Sequence, residues 1–175
     1  MNNNQNLNEF SKDTTCCFTG HRPKGLPWGY SNSGFRYLFF KHKLKKAIEK
    51  AINDGYILFI SGMALGGDTL FAELVLDLKK TYPQIKLECA IPCLNQCQKW
   101  TEASIMKYQN ICSLADYVTN VSNTFYFNGC MAKRNKYMVD KSSRIIACFN
   151  GNPGGTEQTI KMAESAELSI VVIKP

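Results

Sequence analysis

Four short segments hold the side chains best suited to chemistry. The first is Thr19-Gly20-His21-Arg22-Pro23. Gly20 permits a tight turn, and Arg22 presents a planar fork of donors for phosphate or carboxylate. His21 can donate to a phosphate or act as a base. The second is Ser61-Gly62-Met63-Ala64-Leu65-Gly66-Gly67-Asp68. Glycines at the start of a helix let backbone N–H groups face an anion, and the helix dipole favours one there. Asp68 can cap that helix or accept a ribose hydroxyl. The segment is not G-x-G-x-x-G and lacks the Lys-Ser/Thr of a P-loop, so it names neither NAD nor ATP. The third is Met131-Ala132-Lys133-Arg134-Asn135-Lys136, where Arg134 and Asn135 can reach a ligand. The fourth is Asn150-Gly151-Asn152-Pro153-Gly154-Gly155-Thr156, a second Gly-rich turn in which Thr156 caps a helix or bonds a phosphate. Each segment also has a plain structural reading as a turn, a cap or a solvated basic face. Two such turns together with two arginines point to a nucleotide-like anion.

The loop after Arg22 continues through Lys24, Trp28 and Tyr30, too long for a simple connector. Trp28 or Tyr30 can stack on a base or anchor the packing. The 175-residue chain carries a net charge of +7, spread unevenly. Residues 1–50 hold nine Lys/Arg against three Asp/Glu, and residues 101–150 hold six against three. Such basic surfaces attract the phosphates of nucleotides or nucleic acids. The five lysines between Lys41 and Lys50 also read as a solvated face.

The elements that must position these residues follow from the apolar pattern. Hydrophobic residues make up 45% and charged residues 20%, enough for a full core in one domain. Residues 1–14 are Asn-rich and read as a disordered tail, leaving residues 15–175 as a single domain. Continuous apolar runs at 15–19, 56–60, 85–91, 116–121, 144–149 and 168–173 predict six strands. Phe40, Leu44, Ala47, Ile48 and Ala51 predict a helix closed by Gly55. Further helices are predicted after Asp68, from Trp100 through Cys112, over 131–141, and after Gly155. Continuous runs mean strands buried on both faces, hence a parallel sheet. The expected class is α/β: a three-layer Rossmann-like domain with a mainly parallel sheet of about six strands. In such a sheet ligands bind at the carboxyl ends of the strands, where the four segments fall.

No apolar run approaches the length of a membrane span, and no secretory leader is visible. The eight cysteines lie mostly in apolar runs and form no C-x-x-C pair, so they read as reduced, buried thiols and imply a cytoplasmic location. No metal site is expected.

The four segments, taken in order, resemble the YpsA-like family of the SLOG superfamily, which includes the LOG phosphoribohydrolases and the DNA-processing protein DprA. The marks are Cys17-Phe18-Thr19-Gly20-His21-Arg22-Pro23, Ser61 to Gly66, Arg134-Asn135-Lys136-Tyr137-Met138-Val139-Asp140 and Pro153-Gly154-Gly155-Thr156. The resemblance covers about residues 15–175. It implies a Rossmann-like domain that binds a nucleotide-derived ligand related to NAD or ADP-ribose, and a tendency to self-associate. Met131 and Arg134 resemble the hydrolases' M-x-x-R motif. Their P-G-G-x-G-T-x-x-E motif is broken, with Glu157 where it has glycine and Lys161 where it has glutamate.

Three functions therefore stand as expectations. The first is binding or sensing of a nucleotide-derived ligand by the Gly-rich turns, Arg22 and Arg134. The second is an enzyme cleaving a nucleotide or its N-glycosidic bond, with His21 as acid/base and Asp68 or Glu157 as the carboxylate. The third is single-stranded nucleic-acid binding through basic charge and the aromatic segments at Trp28–Tyr30 and Phe125–Phe127.

Overall fold

A computed structural model describes residues 10–175. Residues 1–9 of the expected tail lie outside the described residues. Within its remainder, Ser11 accepts a hydrogen bond from the Asp13 N–H at 3.2 Å and caps a single 3-10 turn, Lys12–Thr14. Phe10 sets its ring edge-on to Tyr117 at 5.9 Å.

The strands are β1 (Thr15–Gly20), β2 (Leu58–Ser61), β3 (Lys86–Ile91), β4 (Tyr117–Asn120), β5 (Arg144–Cys148) and β6 (Ser169–Ile173). The helices are α1 (Phe35–Asn53), α2 (Gly67–Leu78), α3 (Glu102–Leu114), α4 (Cys130–Lys141) and α5 (Gly155–Ser165). All strand pairs are parallel, in the order β4-β3-β2-β1-β5-β6. Cys16 of β1 lies opposite Phe59 of β2 on one side and Arg144 of β5 on the other.

Parallel strands alternate their side chains between two covered faces. Cys16 and Phe18 join α1, α2 and α3 in one core, where Phe18 stacks on Phe71 at 4.8 Å. Cys17, Leu58 and Ile60 face Met138 of α4 and Ala163 of α5 in the other. Burying a phenylalanine such as Phe18 completely contributes about 1.5–3 kcal/mol. Only the sheet edges are partly exposed along their length, in β4 and β6.

Two helix starts differ from the sequence expectation. Helix α1 begins at Phe35, a turn ahead of the apolar stripe, because Phe35, Leu38 and Phe39 point to solvent and break the pattern. Helix α2 is capped by Gly66, and Asp68 lies in its first turn with its side chain buried. Gly66 has φ +98°, and a Cβ there would stand 2.8 Å from the His21 carbonyl oxygen, so the β2 loop needs glycine to pass the β1 loop.

The chain runs outward from β1 through β2, β3 and β4, then returns to the other side of β1 as β5 and β6. The topological switch therefore lies between β1 and β5, with α2, α4 and α5 starting around it.

Candidate functional site

The loops that leave β1, β2 and β5 are knit together. The Asn150 N–H donates to His21 Nε2 at 3.1 Å, and the Asn150 amide donates to the Gly25 carbonyl at 3.1 Å. The Gly67 N–H donates to the His21 carbonyl. His21 also stacks on Phe149, 5.7 Å between ring centres. Burial lowers the imidazole pKa, so the ring is neutral at pH 7, and with Nε2 accepting it carries its proton on Nδ1.

Together these loops frame a cleft of about 290 Å³. β1 and its loop supply Gly20, His21 and Arg22, and α2 supplies Asp68. Helix α4 supplies Arg134 and Asn135, and α5 supplies Gly155 and Thr156. Thr19, Gly25, Ala64 and Met131 complete the wall. Of these four, Thr19, Ala64 and Met131 lie in the segments singled out in the sequence, whereas Gly25 lies in the loop that follows Arg22.

The floor of the cleft is a buried polar chain. The Arg134 Nη1 group donates to the Gly62 carbonyl and stands 3.7 Å from Asp68 Oδ2. Arg134 Nε donates to Asn135 Oδ1 at 2.8 Å, and the Asn135 amide donates to Thr159 Oγ1 at 2.8 Å. The Thr159 hydroxyl donates to the Gly155 carbonyl at 2.7 Å, in the first turn of α5. Asp68 Oδ2 also accepts from the Ala64 N–H at 3.3 Å. The chain thus ties the β2 loop to the starts of α4 and α5.

Burial dominates the ionisation of this pair. It pushes the Asp68 carboxyl up to about 6, against the opposing pull of Arg134. It also disfavours the Arg134 cation, although arginine stays protonated at any physiological pH.

The helices around the cleft share a feature. The N-caps of α2, α4 and α5 are Gly66, Gly129 and Gly154, and none provides a side-chain capping bond. Helix α1, which does not line the cleft, likewise starts at a glycine, Gly34, whereas α3 is capped by Thr101, whose hydroxyl accepts from the Ser104 N–H. Helix N-termini without side-chain caps leave donor groups and dipole charge for another acceptor. At α5 the space is open, since nothing lies within 4 Å of where a Gly155 Cβ would stand. Thr156 sits inside the first turn of α5 and does not cap it.

The sequence-derived set therefore divides by role. Arg22 is exposed on the rim, and Arg134 is a buried organiser with its guanidinium engaged. Ser61, Gly62, Gly66 and Gly67 shape the site from behind without lining it. The Ser61 hydroxyl donates to the Asp68 carbonyl at 2.8 Å and accepts from the Met63 N–H. With the Ala64 N–H bonded to Asp68 as well, part of the β2 loop's donor set is spent within the loop and braces it. Pro153 and Gly154 lie on the exposed outer turn of the β5 loop. Glu157 pairs with Lys161 at 2.6 Å along α5. Trp28 packs on Phe40 at 5.0 Å, whereas Tyr30 is exposed.

Residues 16–174 match the family model YpsA, described as the YspA SLOG family. The chain belongs to that family. Its relatives include a UPF0398 protein of Halalkalibacterium halodurans, 28% identical over 85% of this chain and 79% of that protein. Another is the SPbeta prophage-derived protein YoqJ of Bacillus subtilis, 32% identical over 75% of this chain and 84% of that protein. Among solved structures, DprA of Streptococcus pneumoniae superposes with a TM-score of 0.63 at 15% identity. DprA of Helicobacter pylori, described for its single-stranded DNA binding mode, gives 0.61 at 14%. Each covers 94% of this chain, which spans only 51% and 66% of those chains respectively. This SLOG domain thus has the DprA fold, a six-strand parallel sheet between helical layers. No described helix is long and apolar enough to cross a membrane.

Proposed function

We propose that the cleft binds the phosphate of a nucleotide-derived ligand of the ADP-ribose or NAD kind. The observation that carries this reading is the start of α5. Gly155 and Thr156 open on the cleft without a side-chain cap, beside exposed Arg22. A phosphate there accepts from the first N–H groups of α5 and gains the positive end of the helix. Arg22, which lines the same cleft, adds a charged, two-pronged donor. Arg134 holds the start of α5 in place through Asn135 and Thr159. The neutral His21 contributes an N–H donor.

Thermal shift with ADP-ribose, NAD, AMP and a cyclic dinucleotide tests this. A ligand at 100 times its Kd adds about 2.7 kcal/mol, which raises the midpoint by about 5–11 °C for a domain this size. No shift with any of the four overturns the reading.

Single-stranded DNA is the second reading. It is favoured by the likeness to the DprA structure described for that ligand, and by exposed Phe125 and Tyr126. Such binding weakens steeply with salt, and a flat salt response removes it.

A further inference from the structure

Beside the phosphate cleft lies a second compartment of about 410 Å³. The two share Arg22, Ala64 and Met131 as a common wall, so one ligand can occupy both. The second differs in character. Its lining combines two aromatic rings, Tyr30 and Trp100, with the cations Arg22, Lys24 and Lys99.

Trp100 is held in a fixed place. It lies just ahead of α3, with its N–H bonded to the Cys97 carbonyl at 3.0 Å. Its ring meets Tyr108 of α3 edge to face, 5.5 Å between centres at 88°. The ring is half-buried and still reaches the compartment. Gln96, on the same wall, donates its amide to the Met63 carbonyl at 2.8 Å and clamps this segment to the β2 loop. The Gln96 carbonyl oxygen has no partner among the described residues. Tyr30, by contrast, is 68% exposed and unencumbered on its loop. A preformed hollow with aromatic walls and cationic edges suits a flat, electron-rich ring carrying a phosphate.

We infer that this compartment takes the aromatic base of the ligand whose phosphate sits at α5, with Arg22 between the two. This rests on the phosphate-binding reading above and deepens it by assigning the base its own compartment. The ligand class is a nucleotide with its base attached, not a sugar phosphate or inorganic polyphosphate.

The test compares ADP with ribose 5-diphosphate, which lacks only the base. Stacking of one base on an aromatic side chain contributes about 1–3 kcal/mol, equivalent to roughly 5- to 150-fold in affinity. ADP binds more tightly than ribose 5-diphosphate by a factor in that range. Trp100→Leu removes the advantage and leaves the affinity for ribose 5-diphosphate unchanged, while Trp100→Phe restores most of it. Tyr30→Ala, at an exposed position that does not threaten folding, weakens ADP alone. In a Trp28→Phe background Trp100 is the single tryptophan, and ADP quenches its fluorescence while ribose 5-diphosphate does not.

Equal affinities for the two probes, or ADP binding untouched by both Trp100→Leu and Tyr30→Ala, overturn the inference and leave the phosphate site standing. Failure of both probes to bind counts instead against the phosphate site itself. A strand of nucleic acid offers the same base and phosphate. A ten-residue oligothymidylate that displaces ADP with a steep salt dependence identifies a strand as the source, and its failure to compete identifies a free nucleotide.

Discussion

The guanidinium of Arg134 lies 3.7 Å from the carboxylate of Asp68, and both side chains are withdrawn from water. Removing one partner of such a pair leaves an uncompensated buried charge. Arg134→Ala is therefore a stability variant before it is a binding variant. It should cost roughly 3–5 kcal/mol near pH 8, or about 6–20 °C in midpoint.

The same pair sets a pH dependence. Folded Asp68 titrates near 6 against an ordinary value of 3.8. The folded state thus holds a proton that the unfolded state has already released. Its contribution to stability is fully present below about pH 4 and is lost as pH rises through about 6. Without Arg134 the folded carboxyl moves higher still, so the variant's deficit shrinks at pH 5, where Asp68 takes up a proton. Melting both proteins at pH 5 and pH 8 checks this, and an equal deficit at the two pH values contradicts it.

A second prediction concerns Gly62, which has no side chain because Arg134 occupies the space. A Cβ at that position would collide with the guanidinium. Gly62→Ala must displace Arg134 from both Asp68 and the Gly62 carbonyl. The expected loss is about 1–3 kcal/mol, read by urea unfolding. A neutral outcome would mean that the guanidinium has room to move.

Arg22 should behave in the opposite way. Its side chain is exposed, so Arg22→Ala stays within about 0.5 kcal/mol of the parent in stability. A lost charge-assisted bond to phosphate is worth about 1.5–3 kcal/mol, or roughly 10- to 150-fold in Kd. Calorimetric titration with whichever nucleotide shifts the midpoint gives the answer. Unchanged affinity would remove Arg22 from the site.

Thiol chemistry gives a fourth prediction. All eight cysteines are free, six of them buried and Cys97 and Cys112 half-exposed. A hydrogen bond from Cys89 lowers the Cys112 pKa, which enriches its thiolate. Native-state alkylation followed by mass mapping should label Cys112 first, then Cys97. Fast labelling of Cys16 or Cys148 would show that the core opens readily.

Most of this architecture was legible in the residues. Strands such as β1 and β5 are covered on both faces, so their sequences are unbroken apolar runs, and the parallel sheet follows. The start of α1 was hidden by exposed Phe35, Leu38 and Phe39, which carry no periodic signal. At the site, sequence located the loops but not the direction of their side chains. Asp68 reads locally as a cap, but its carboxylate turns inward to the Ala64 N–H and to Arg134, sixty-six positions away. Trp100 continues the helical spacing of Ser104 and Tyr108, yet Thr101 caps α3 after it and leaves the ring beside the compartment. Both outcomes depend on tertiary neighbours that local pattern does not encode.

The central place of β1 has a kinetic consequence. Its partner on one side, β2, follows after about forty residues, whereas β5 arrives only after about one hundred and twenty. During synthesis β1 to β4 emerge before the residues that finish the cleft. The turn that opens α5 therefore exists only once the later segment has docked on β1. Loop closure over that span is slow compared with the local pairings before it. A molecule held by both Arg22 and Gly155 bridges the early and late halves of the chain. Its binding should slow backbone amide exchange across the β1–β5 seam more than at the β3–β4 edge.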